Sequence, residues 1–452
     1  MRETALERDW TKGSIFGNLV SLSWPMMVHE GFYLMSQLVD MIWVGKLGVA
    51  HIAGVGIASI IAMVIRSAAM GLTTGTIALV ARFVGAGDVR GANRIASQAF
   101  VISFVYGAAV TVIAVPFAKP ILGLFGLEAS VAAEGTAYMR MLLVGTVAMS
   151  FWGVGQSIMK ASGDPVTPMR VSIFVRCVHI ALDPFFIFGW WVFPRMGVSG
   201  AALSNIVAQT LGASILLWFF FNGRTRLRLT LSNFGVDLSI IWRIVKIGIP
   251  AGVMSMQRSF GNLMLTWFMV PFGTFAVAAH SLYQKIRQVV FMPSWVLGMG
   301  SGVLVGQNLG ARQPGRAERT GWAATGLAEG VMFICSVAIL LWAESIICLF
   351  NPEPGLVEIA SVFLRIATAG FLVVGFVGVL QRSIAGAGDT LPPMLISLVM
   401  IWAVQLPLAY FLPRVTNLGM YGVGWAIVTG VVMGAVALII YFRLGRWKHK
   451  KV

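Results

Sequence analysis

Long apolar runs constrain this chain more than any other feature. They fall at 14–44, 52–82, 94–118, 131–160, 168–191, 197–221, 240–269, 277–308, 320–343, 356–386, 393–413 and 419–443. A helix needs about 20 apolar residues to cross ~30 Å of hydrocarbon. Inside lipid the backbone must satisfy its own hydrogen bonds, so runs of this length become helices. Charged residues make up 11% of the chain, against about 25% in a soluble domain. The expected class is therefore an all-α membrane protein with twelve transmembrane helices.

The basic residues sort by side. Arg2, Arg8 and Lys12 lie in the N-terminal tail, Arg82, Arg90 and Arg94 between the second and third runs, and Arg224, Arg226, Arg228, Arg243 and Lys246 around the centre. Arg312, Arg316 and Arg319 follow, and the chain ends in RLGRWKHKKV. The alternate connections offer little beyond Lys46, Lys119, Arg195 and Arg414. Under the positive-inside rule both termini are expected in the cytoplasm; the expected location is the plasma (inner) membrane, crossed many times. The net charge of +16 is then a topological signal and an attraction to anionic lipid headgroups, not a nucleic-acid footprint. Residues 1–13 lack the apolar core and cleavage site of a signal peptide. Cys177, Cys335 and Cys348 are scattered in apolar surroundings and form neither a disulfide framework nor a metal-ligand spacing.

The chain repeats itself. GAGDVRGANR at 85–94 aligns with GARQPGRAER at 310–319, 225 residues on. The same offset carries Pro25 onto Pro250, Gly48 onto Gly273, and GDPVTPM at 163–169 onto GDTLPPM at 388–394. Two six-helix halves in the same orientation are parallel repeats, and transporters place cargo at the interface of such repeats. The expected division is a lobe at 14–221, a cytoplasmic linker at 222–239 and a second lobe at 240–443. The repeat also shows what is not shared: Asp40 maps onto Leu265, and Asp183 near Leu406 or Leu408. In the second half the acids Glu318, Glu344, Glu353, Glu358 and Asp389 fall near span ends, so no acid is expected in the body of a span there.

SQLVDMIWVGKLG at 36–48 sets a carboxylate, Asp40, within the first span. An intramembrane carboxylate is costly unless it is paired, neutralised or facing water, and it marks a functional site. At 100° per residue His29, Tyr33, Ser36 and Asp40 share a stripe about 60° wide, flanked by Glu30 and Gln37. In the fifth span Arg176, His179 and Asp183 also share a face, followed by Pro184, which frees backbone carbonyls. The alternative is a buried structural pair of Arg176 with Asp183. Gln156, Asn205, Arg258 and Gln284 are further candidates for a cargo cavity, and Arg66, Lys285 and Arg287 add positive charge. The glycine strings GVGIAS (54–59) and GMGSGVLVG (298–306) read as close helix contacts, since no strand–turn–helix surrounds them. No HExxH, GxSxG or histidine cluster supports an enzyme.

The motifs QLVDMIWVGKLG, VGAGDVRGANR with NLGARQPGRAER, and SGDPVTPM with GAGDTLPPM resemble the MATE (multidrug and toxic compound extrusion) family along essentially all twelve spans. The resemblance implies a V-shaped pair of six-helix bundles that alternates between outward- and inward-open forms. It implies efflux of drug-like, often cationic compounds or toxic metabolites, exchanged for protons or sodium ions, by a monomer with no cofactor or resident metal. Asp40 matches the family's first-span aspartate, and Asp183 the fifth-span aspartate of the branch that includes the DNA-damage-inducible F transporters. That branch usually has an asparagine where this chain has His179, which favours protons over sodium. The other branch's seventh-span glutamate is replaced by Arg258, and its tenth-span aspartate is absent near Val374, so no cation site is expected in the second lobe. The rival function is export or flipping of anionic or lipid-linked cargo, motivated by the arginines.

Overall fold

The structure, a computed structural model, describes residues 8–47, 49–123 and 129–452, with backbone alone at 49–61, 129–131, 231 and 233. Gly48 and Arg2 lie outside the described residues. Helices run in order α1 Ile15–Gly45, α2 Val49–Gly85, α3 Val89–Gly123, α4 Ala129–Val144 continued by Thr146–Ser162, α5 Val166–Phe188 and α6 Val198–Phe221. Then come α7 Leu238–Met269, α8 Thr274–Gly310, α9 Pro314–Cys348, α10 Pro354–Gly386, α11 Leu391–Val415 and α12 Tyr421–Leu444. Among the described residues there is no β-strand. Ten of these helices are long and apolar enough to cross a membrane, and the two parts of α4, bent by 48°, together make an eleventh. α1 is not among them; His29, Glu30 and Asp40 break its apolar run. Apolar side chains such as Phe333, Ile334, Leu341 and Trp342 on α9 are largely exposed, as expected of a surface solvated by lipid.

Breaks in the helices have local causes. α4 bends at Gly145, which packs against Ile206 so closely that a Cβ would overlap that side chain. α11 contains a π-helical stretch, Val399–Gln405. α5 and α12 stop at Gly189 and Gly445, both left-handed, a conformation that glycine adopts without a Cβ clash.

The backbone carries the repeat more clearly than the side chains do. Positive φ occurs at Gly87 (76°) and, 225 residues on, at Arg312 (58°), and again at Gly163 (95°) and Gly388 (84°). Gly197 (56°) and Gly223 (65°) correspond, now at 222, to Gly419 (52°) and Gly445 (69°). The register slips because the connection 416–420 is shorter than its counterpart 189–197. Asp183 lies upstream of that connection, so at the offset of 225 its counterpart in the repeat is Leu408.

Contacts divide the chain into two compact units: Trp24–Gly252 with the described residues before Trp10, and Trp10–Ser23 with Val253–Val452. These limits differ from lobes at 14–221 and 240–443, because α1 and α7 each change unit beside their prolines, Pro25 and Pro250. In the second unit, the N-terminal turn is held by Arg316, which donates to the carbonyls of Lys12 and Gly13 at 2.9 Å each. In the first, the start of α7 lies against α2, where a Cβ on Gly71 would overlap the Gly248 carbonyl. The stretch 222–239 belongs to the first unit, tied to α3 by the Gln98 amide, which donates to Gly235 O (2.8 Å) and accepts from Asp237 N (3.0 Å). Asp237, exposed ahead of α7, accepts from the Ser239 hydroxyl and the Ser239 and Ile240 amides, which hold its carboxyl below the usual carboxylate range.

The glycine string 298–306 lies inside α8, with no loop for a phosphate. A Cβ on Gly298 would meet the Gly378 carbonyl, and one on Gly386 the Gly302 backbone, so these glycines set the α8–α10 approach. One expectation fails. Glu329 sits in the body of α9, where Phe376 N donates to its Oε1 at 2.8 Å and Gly375 leaves room for the carboxyl group. The second half therefore does hold an acid at membrane depth.

Candidate functional site

The first unit gathers the polar faces of α1 and α5. Ser36 and Asp40, one turn apart on α1, meet His179 and Asp183, one turn apart on α5. Ser36 Oγ lies 3.0 Å from His179 Nδ1. That bond orients the imidazole so that Nε2 faces both acids, 3.5 Å from Asp183 Oδ1 and 3.8 Å from Asp40 Oδ1. Asp183 and His179 are fully buried, whereas Asp40 keeps 29% of its side chain exposed. Asp40 is thus the member of the cluster that solvent or cargo can reach.

α6 completes the group. Gly200 packs against the Phe186 carbonyl with no room for a Cβ, and one turn on Ser204 donates to Asp183 Oδ1. Nε2 of His179, Asp40 Oδ1 and Asp183 Oδ2 are buried without a hydrogen-bond partner. Two carboxylates and an unpaired ring nitrogen in apolar surroundings are costly unless a proton or cation is shared among them. One ligand atom from each of the three residues falls within 4.8 Å of the others. The arrangement can therefore take up and release a positive charge.

Arg176 does not pair with Asp183. Its guanidinium lies 4.9 Å over the Tyr33 ring, and Nε has no hydrogen-bond partner. His29, on the same stripe of α1, is buried with both ring nitrogens unpartnered. Gln37 is exposed on α1, Gln156 is buried on α4, and Asn205 accepts from Gln209 at 2.6 Å, so these candidates stand outside the hydrogen-bonded cluster. Ser204 was not legible as a site residue. Its only signals are a hydroxyl inside an apolar helix and a glycine one turn earlier.

Arg258 and Gln284 belong to a separate group in the second unit. Arg258 donates to Gln381 Oε1 (3.3 Å), and Gln284 accepts from Arg287 at 3.3 Å while its amide nitrogen lies 3.2 Å from His280 Nε2. Tyr283 and Ile286 are buried on the same helix, whereas Lys285 is exposed.

The MatE family model matches residues 25–185 and 250–411, two blocks that begin at Pro25 and Pro250 and cover most of the chain. The chain belongs to the MATE family. It is similar to a probable multidrug resistance protein NorM of Thermotoga maritima, 25% identical over 96% of this chain and 93% of that protein. Its fold matches a MOP superfamily transporter from Pyrococcus furiosus, with a TM-score of 0.91, 24% identity and 98% of each chain covered. It likewise matches a MATE structure in a straight conformation, with a TM-score of 0.89, 26% identity and 97% and 96% of the two chains covered. As a MATE-family member the protein is a multi-pass membrane transporter and not an enzyme. The twelve-helix, all-α architecture is that of its relatives.

Proposed function

We propose that this MATE-family protein is a secondary active antiporter that exports drug-like cationic or amphipathic compounds in exchange for protons. The relative named a multidrug resistance protein supports the cargo class. The single observation that carries the coupling is His179 Nε2, unpartnered and facing both Asp40 and Asp183. A proton arriving from outside is shared among these three groups and neutralises the partly exposed Asp40. Bound cationic cargo then loses its counter-charge and leaves. Loss of the proton to the cytoplasm restores the carboxylate for the next cycle, in an alternating-access scheme. Pro25, fifteen residues before Asp40, leaves α1 short of a backbone hydrogen bond and gives it a place to bend as the charge changes.

Sodium is the alternative coupling ion. It is a hard cation that takes several oxygens. The carboxylates with the Ser36 and Ser204 hydroxyls offer oxygens, but the imidazole of His179, which faces both acids, is a poor sodium ligand. The distribution of basic residues over alternate connections supports cytoplasmic termini, and the reading takes the plasma membrane as the protein's location. Purified protein in liposomes decides the matter. Export driven by a pH gradient without sodium supports the reading, and export that follows a sodium gradient at equal pH overturns it.

A further inference from the structure

We propose that the second unit carries an anion-binding site, built by Arg258 and Arg287, that takes a carboxylate or another singly charged anion. It deepens the export reading by adding an acidic group to the cargo, and it rests on that reading only for what the anion belongs to. Arg258 and Asn262 lie one turn apart on α7, and His280, Gln284 and Arg287 line one face of α8. The two faces meet where Arg287 donates to Asn262 Oδ1 at 3.4 Å and to Gln284 Oε1 at 3.3 Å. Arg258 reaches across to α10, donating to Gln381 Oε1 at 3.3 Å. Every one of these bonds is long and ends on a neutral amide. A guanidinium has five donors and cannot shed its charge, so most of the hydrogen-bonding capacity of both groups is unspent.

No acid of this unit answers them. In Trp10–Ser23 and Val253–Val452 the carboxylates are Glu318, Glu329, Glu344, Glu353, Glu358 and Asp389. Glu318 pairs with Lys448 (2.7 Å), Glu344 with Arg365 (2.9 Å) and Asp389 with Lys450 (3.1 Å). Glu329 accepts from the Phe376 backbone, and Glu353 and Glu358 are exposed at the start of α10. The ring of Tyr283 is 6.0 Å from Arg287, the outer limit of a cation–π contact. Arg287 donates to Asn262, one turn from Arg258, so the two positive groups lie on adjoining faces of α7 and α8. They have amides for partners and no carboxylate of the unit bonded to either, and an anion within reach of both would supply the missing acceptors. The guanidinium fork matches a planar carboxylate, with two parallel N–H donors to two oxygens. The pair is also not inherited from the repeat: the positions 225 residues earlier are Tyr33 and Ala62.

The test is equilibrium binding to the full chain in nanodiscs at constant ionic strength, with no gradient imposed. The probes are benzoate, its neutral isostere benzamide, and chloride, each read by the thermal midpoint and by tryptophan fluorescence. Benzoate is expected to bind saturably and benzamide not to. Arg258→Gln and Arg287→Gln should each weaken benzoate by at least about tenfold, while Arg365→Gln leaves it unchanged. Chloride that displaces benzoate supports the site and assigns it to a small inorganic anion; chloride without effect supports the site and assigns it to the acidic group of cargo. Asp40→Asn should bind benzoate as the parent does, so a failure of proton coupling leaves this result standing. Arg258→Lys, which keeps the charge and loses the fork, guards against misfolding of the glutamine variants and is expected to bind benzoate with intermediate strength. Equal response to benzoate and benzamide, or parental benzoate affinity in the glutamine variants, overturns the proposal.

Discussion

Each repeat passes through a proline in its first helix, and the residues that follow give the repeat its charge. After Pro25 come Tyr33, Ser36, Gln37 and Asp40; 225 positions on, after Pro250, stand Arg258, Gly261, Asn262 and Leu265. The first unit adds His179, Asp183 and Ser204 and so gathers carboxylates around an imidazole. The second gathers two guanidiniums among amides. The backbones nevertheless repeat down to their left-handed residues. Close helix contacts such as Gly71 with Gly248 and Gly302 with Gly386 are between backbones and do not involve Asp40, Asp183, His179, Arg258 or Arg287. One scaffold can therefore hold sites of opposite sign, since the chemistry is grafted on positions that packing leaves free.

Replacing the acid that only the first repeat has should break the comparison most completely. Asp40→Asn removes the coupling charge at almost constant volume, and export driven by a pH gradient in liposomes should fall to background at equal protein level. Parental export by that variant would show that the acid cluster is not the coupling site. His179→Asn should lower proton-driven export by roughly tenfold, the rate equivalent of about 1.4 kcal/mol. The same variant supplies an amide oxygen beside both carboxylates, so a sodium gradient at equal pH should begin to drive export. An unchanged ion preference in liposomes would remove His179 from the coupling group.

Smaller effects test the partners. Ser204→Ala leaves Asp183 Oδ1 buried without its donor, which should cost about 1–3 kcal/mol of stability. The register at 222 places Ala426 at the matching position of the second repeat, where no carboxylate needs a hydroxyl. Thermal unfolding of Ser204→Ala indistinguishable from the parent would mean that Asp183 has no need of that bond. The last comparison is of backbone alone. Gly87→Ala should lower stability by about 1–2 kcal/mol, the cost of a left-handed residue with a Cβ. Arg312→Gly relieves the same strain in the other repeat and should raise stability by up to ~1 kcal/mol, because glycine gives back part of the gain as chain entropy. Opposite shifts of the thermal midpoint are the expected result.

Much of this was legible in the sequence for one physical reason: a helix has fixed geometry. Spans followed from run length, and the stripes Ser36–Asp40 and His179–Asp183 followed from a spacing of four residues. The repeat followed from motifs at a constant offset, and positive φ at Gly87, Arg312, Gly163 and Gly388 shows that those motifs are turns with a defined backbone. Glu329 lies well inside the apolar run 320–343, so the sequence already placed an acid in the body of that span, and the expectation that the second half has none failed on the sequence itself.

The sequence by itself determined what each helix presents on its own faces, because 100° per residue needs no neighbour to define it. Only the tertiary structure decided which faces meet. It set Ser204 rather than Arg176 against Asp183, laid Arg176 over Tyr33, and divided α1 and α7 between units beside Pro25 and Pro250. These outcomes depend on how closely two helices approach and in what register. That is settled by contacts such as Gly200 against the Phe186 carbonyl, between residues far enough apart in sequence that no local periodicity relates them.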